Sequence, residues 1–107
     1  MTRVSFTVLR EDIIAFDFSG HSGYSDDNDI VCAAVSSAVY MTANTITDIY
    51  GIEADIELDE ANAHLALSVS AEDAKKCREL LEGLAAHVEA LSKQYPENIN
   101  CTRTTIT

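Results

Sequence analysis

Between Ser70 and Pro96, apolar residues fall at Ala74, Cys77, Leu80, Leu81, Leu84, Val88 and Leu91, with charged residues between them. That spacing is one stripe of an α-helix. A helix with a single apolar face draws its stability from lying on another element, so the rest of the chain has to supply a surface for it. It does so as strands. Arg3 to Leu9 sets Val4, Phe6 and Val8 against Ser5 and Thr7, the period of a half-buried strand. Arg10-Glu11-Asp12 is a polar break of hairpin length, and Ile13 to Phe18 follows with Ile14, Phe16 and Phe18 on one face and Asp17 on the other. The two runs predict an antiparallel hairpin. Ile52 to Leu58 alternates Ile52, Ala54, Ile56 and Leu58 with Glu53, Asp55 and Glu57, the cleanest strand pattern in the chain, with one acidic face. A turn over Asp59–Asn62 leads to a strand over His64–Val69, and a threonine-rich final strand is expected over Ile99–Ile106.

A second helix precedes these. Asp29 or Asn28 is a suitable N-cap for a helix beginning at Ile30. Val31, Ala34, Val35, Ala38, Thr42 and Ile46 recur at helical spacing, and small residues in the first half allow close packing on a sheet. The threonines and Asn44 in its second half are weak helix formers, so burial must hold that part. Gly51 is suited to end it. Ser70, with Asp73 three residues on, caps the helix of the long stripe, which should stop before Pro96. The expected order is ββαββαβ: an α+β two-layer sandwich, a mainly antiparallel sheet with two helices on one face.

The length, 107 residues, suits one domain spanning 1–107. No apolar run is read as membrane-spanning, the first residues do not resemble a targeting segment, and a cytoplasmic location is expected. Cys32, Cys77 and Cys101 are odd in number and far apart, which argues against a disulfide framework or a structural zinc site. Seven basic residues against eighteen acidic ones give a formal charge of −11. Such a surface repels nucleic acid and attracts basic partners, though it also serves solubility alone.

One stretch carries chemistry. After the second strand come Gly20 and His21, then a polar run containing Gly23, Asp26, Asp27 and Asn28, then Cys32 in the first turn of the first helix. First-turn N–H groups and the positive end of the helix dipole favour a thiolate. A histidine eleven residues upstream can fold back within reach as a base. Against this, cysteine is among the most buried residue types, and on spacing alone catalysis and coincidence are evenly matched. His21, Asp26, Asp27, Asp29 and Cys32 could also hold a metal, but they match no zinc or EF-hand spacing. His64 and His87 read as structural and Cys77 as core, while Cys101 is uninformative.

Gly20-His21, a short loop, and Asp29-Ile30-Val31-Cys32-Ala33-Ala34-Val35-Ser36 resemble the ribosomal-processing cysteine protease Prp (YsxB-like) family over essentially the whole chain. The resemblance implies a catalytic dyad of Cys32 as nucleophile and His21 as general base, with Gly20, Asp29 and Ser36 binding substrate or supporting the loop. It also implies a homodimer and, as substrate, the large-subunit ribosomal protein numbered twenty-seven, made with an N-terminal extension that the enzyme removes. Ser22 follows His21 where the family usually has alanine, and the Asp26–Asp29 run replaces a loop that is usually longer and carries a glycine at the place of Asp27. The expectation is therefore a cysteine endopeptidase without metal or other cofactor, acting on a ribosomal protein precursor, with no nucleic-acid or membrane partner. The competing expectation is a non-catalytic acidic adaptor for a basic ribosomal protein. A metal-dependent hydrolase is a third.

Overall fold

The computed structural model describes residues 1–20 and 30–106. β1 (Thr2–Leu9) and β2 (Asp12–Ser19) form the expected hairpin, turning through Arg10 at φ 62°. α1 (Ile30–Asn44) follows, then β3 (Asp55–Asp59), β4 (His64–Ser68), α2 (Ala71–Lys76), α3 (Arg78–Gln94) and β5 (Ile99–Ile106). The strands make one sheet in the order β3-β4-β2-β1-β5. Every neighbouring pair is antiparallel except β1 with β5. Val4, Phe6, Val8, Phe16, Phe18, Leu65 and Leu67 point to one face and are buried beneath the helices. Phe6 and Phe16 sit opposite each other across β1 and β2, with ring centroids 6.4 Å apart. The other face carries Ser5, Asp17, Asp55 and Glu57, all exposed, and no described helix covers it.

The sandwich is the expected one, and the differences are local. Thr7 pairs with Ala15 but Val8 pairs with Ile13, so Ile14 is an extra residue in β2. This bulge turns Ile13 inward, at 2% exposed, where strict alternation had chosen Ile14. The strand expected from Ile52 starts only at Asp55. Gly51, at φ 67°, reverses the chain after the helix, and the Ile52 N–H donates to the Ile46 carbonyl at 3.0 Å, so Ile52 is buried as part of the helix ending.

α1 runs on into a π-helical turn over Thr45–Ile49, with the Tyr50 N–H donating to the Thr45 carbonyl at 2.9 Å. The hydroxyls of Thr42, Thr45 and Thr47 donate to the carbonyls of Ala38, Met41 and Ala43 at 2.8, 2.8 and 3.2 Å. Such back-bonding competes with the regular ladder and loosens the last turns. Together the two segments make a 20-residue apolar helix, Ile30–Ile49, long enough by composition to cross a membrane, contrary to the sequence expectation. It lays Val31, Val35, Val39 and Ile46 into the core of the sandwich.

The long stripe is not one helix but two. Ser70 caps α2 as expected, accepting from the Asp73 N–H at 3.1 Å. The chain leaves helical geometry at Cys77 (φ −115°, ψ 26°) and restarts at Arg78. After the break α2 packs on β2, and α3 packs on α1, β5 and β2. Cys77 is fully buried there, its Sγ donating to the Asp73 carbonyl at 3.3 Å, and burial pushes its thiol pKa up.

Arg78, at the restart, donates to Asp12 at the hairpin turn at 2.6 Å. That bond, more than any other influence, holds the Asp12 carboxyl below its usual range. A carboxylate so depressed stabilises the fold above its unfolded pKa of about 4 and loses that contribution as pH falls through the lower folded value. Asp12→Asn should therefore melt earlier than wild type at pH 7, and the gap should close as pH falls below about 4. Thermal melts at pH 7, 5, 4 and 3 would check this. A gap that did not change with pH would mean that the pair contributes through packing alone.

Candidate active site

Cys32 is the third residue of α1. Val31 before it is buried, Ala33 after it is exposed, and Cys32 itself is half-buried. N–H groups in the first turn of a helix have no partner within the helix, and they favour negative charge placed beside them. A carbonyl oxygen under attack becomes anionic, and such a place suits it.

Gly20 closes the site from the sheet side. It continues β2 one residue past the Ser19–His64 pair, and its N–H donates to the Ala63 carbonyl at 2.6 Å. A Cβ at Gly20 would stand 2.9 Å from Cys32 Sγ and 2.7 Å from the Ala63 Cβ. Only glycine leaves the sulfur its room against the end of β2. The sequence marked Gly20 and Cys32, and the fold brings them together.

Ala63 was not legible. It ends a short 3-10 turn, Glu60–Asn62, in the left-handed region (φ 49°, ψ 52°). Asp59 fixes that turn, accepting from the backbone and side-chain N–H groups of Asn62 at 3.3 and 2.7 Å. The side-chain bond is the larger of the influences that hold the Asp59 carboxyl low. Glycine or asparagine would announce a left-handed residue, and alanine does not. On the open face of the sheet, His64 Nε2 lies 3.1 Å from Asp17 Oδ1 across β4 and β2.

Ser36 lies one turn along α1 from Cys32, half-buried, with its hydroxyl donating to the Ala33 carbonyl at 3.2 Å. His21 and Asp29 lie outside the described residues, as do Ser22, Gly23, Asp26, Asp27 and Asn28. Among the described residues no three acidic, histidine or cysteine side chains gather as a metal site would need. His87 is exposed on α3, and burial raises the thiol pKa of Cys101 on β5.

The fold is a two-layer α+β sandwich that sets a half-buried cysteine at a helix start against a glycine at the end of a sheet strand. Residues 1–100 match the model of the cysteine protease Prp family, and the chain belongs to that family and is a cysteine protease. It is 25% identical over 95 residues, 84% of this chain and 85% of the relative, to the ribosomal processing cysteine protease Prp of Bacillus subtilis (strain 168). Its fold is similar to that of the S. aureus ribosomal processing protease Prp in complex with a covalently linked product peptide: TM-score 0.88, 22% identity, 97% of this chain and 100% of that one. SMU.848 from Streptococcus mutans shares it too, at TM-score 0.85 and 21% identity, covering 99% of this chain and 96% of that one.

Proposed function

We propose that this protease removes the N-terminal extension of a basic ribosomal protein, the large-subunit protein numbered twenty-seven, with Cys32 as nucleophile and His21 as general base, acting in the cytoplasm as a homodimer. One observation carries the dyad: Cys32 Sγ is packed against Gly20, the residue to which His21 is directly bonded in the chain. His21 takes the thiol proton, and the sulfur attacks the scissile carbonyl. The oxyanion is held by the Cys32 amide and another N–H of the preceding segment. His21 then returns the proton to the leaving amine, giving an acyl-enzyme thioester and the shortened protein. Water, deprotonated by His21, cleaves the thioester, releases the extension as a carboxylic acid and restores the thiol. Asp29, immediately before α1, supports the helix start.

The substrate assignment is supported by the name of the Bacillus subtilis relative, a ribosomal processing protease, and by charge. The chain carries −11 formally, and between Arg10 and Lys75 it has no lysine or arginine. The unprocessed ribosomal protein, incubated with wild type and with Cys32→Ala and read by mass spectrometry, should show a single N-terminal cut with wild type only. The second-order rate should fall several-fold as salt rises to about 0.5 M, because screening weakens the attraction of a basic substrate. Binding by both proteins with no cut would mean that this ribosomal protein is not what the protease cleaves.

A further inference from the structure

We propose that the outer edge of β3 takes the substrate's extended chain as an added strand, with Ile56 and Leu58 setting which side chains it accepts. This rests on the protease function above and adds to it the docking element.

β3 lies at one edge of the sheet and, among the described residues, pairs only with β4. All five of its residues are exposed. Ile56 and Leu58 stand opposite Leu67 and Leu65, which are buried beneath the helices, so they point to the helix side of the sheet, the side of Cys32. Yet they remain 42% and 49% exposed, because the helices do not reach over this edge. An open strand edge with neighbouring aliphatic side chains invites pairing, and proteins commonly blunt it with charged side chains, proline or a bulge. β3 has no lysine, proline or bulge, and its three carboxylates, Asp55, Glu57 and Asp59, repel an acidic strand while admitting a basic one.

Its position relative to the sulfur is fixed by register. Asp59 pairs with His64, and His64 pairs with Ser19, the residue before Gly20. The last residues of β3 are therefore at the Cys32 end of the sheet, two strands away, or about 10 Å at the usual strand spacing. A chain paired on the outer edge of β3 lies one spacing further out, about 14 Å from β2, and needs about four extended residues to reach the sulfur.

The edge also defines its occupant. Residues Gly51 to Ser70 include no lysine or arginine, while Asp55, Glu57 and Asp59 line the face of β3 opposite to Ile56 and Leu58. A paired strand would set alternate side chains against Ile56 and Leu58 and the others beside the acidic row. The occupant is thus an extended segment with apolar residues at every second position, drawn from a basic protein. Its backbone supplies affinity and its alternate side chains supply choice.

The test uses wild-type enzyme and synthetic peptides spanning the cut site, each with one backbone N–H replaced by N-methyl. Strand addition predicts KM raised about five- to tenfold at every second position on one side of the cut, with small changes between, as each lost hydrogen bond would require. Ile56→Thr and Leu58→Thr should raise KM for peptides with apolar alternate residues more than they lower kcat. Ile106→Thr, on the far edge strand β5, should leave KM as in wild type. N-methyl effects without this period, or KM indifferent to both β3 variants, would overturn the proposal. Self-association of wild type that Leu58→Thr abolishes, with KM unchanged, would overturn it too and assign the edge to a second copy. If wild type cuts none of the unmodified peptides, the substrate assignment itself fails and the proposal with it.

Discussion

Cys32→Ala should leave a folded protein that cuts no peptide bond, with kcat/KM reduced about 10⁴-fold or more, the scale seen when a covalent nucleophile is removed. The loss is chemical and not structural. Cys32 is only half-buried, at the start of α1, and the core residues Val31 and Val35 on the same helix are untouched. The cavity left by one sulfur at such a place should cost no more than about 1 kcal/mol, visible as a small shift in a urea midpoint. The other two thiols make the assignment clean. Cys77 is fully buried, and its thiol and that of Cys101 are both pushed up by desolvation, toward the protonated, unreactive form. A single equivalent of alkylating reagent at neutral pH should therefore label Cys32 and stop cleavage together, read by peptide mapping. Label found on Cys77 or Cys101 with activity lost would place the nucleophile elsewhere. His21→Ala should fall nearly as far, because a thiol without its base contributes little beyond the uncatalysed rate.

The sandwich could be foreseen because its instructions are periodic. Val4, Phe6 and Val8 alternate, Ala74 to Leu91 recur at helical spacing, and one apolar face must meet another. What could not be foreseen depends on contacts between distant segments. Ile14 and Ile13 are chemically identical, and only the register against β1 decides which turns inward. The threonines of the first helix signalled weakness, but not that three hydroxyls would bond back to the helix and carry it into a π turn. The break at Cys77 leaves the apolar stripe intact and answers to contacts with distant segments, β2 for α2 and α1, β5 and β2 for α3. At the site, Gly20 and Cys32 were marked because glycine and a first-turn cysteine are informative residue types. Ala63 was not, because its part is played by a backbone carbonyl and a left-handed φ, to which alanine gives no clue.

Gly20→Ala should be the most damaging change of a residue that does no chemistry. The added Cβ meets Cys32 Sγ at 2.9 Å and the Ala63 Cβ at 2.7 Å. The sulfur can turn away, but then it leaves the position from which it attacks. The Ala63 Cβ cannot turn, and Asp59 pins the preceding turn through two bonds to Asn62. Either β2 and β4 part at this end, stretching the Gly20–Ala63 hydrogen bond, or α1 lifts off the sheet. Overpacking of this kind costs about 1–3 kcal/mol in stability. A displacement near 1 Å at a nucleophile costs on the order of 10²-fold in rate. The two clashes can be separated. Gly20→Ala combined with Ala63→Gly removes the Cβ–Cβ contact and places glycine where the backbone is already left-handed, so stability should return most of the way. The contact with Cys32 Sγ remains, so kcat/KM should stay low while the urea midpoint recovers. Recovery of both would make the Gly20–Ala63 packing the whole of the defect. Wild-type stability and rate in Gly20→Ala itself would mean that the close approach of Gly20 to the sulfur has no part in catalysis.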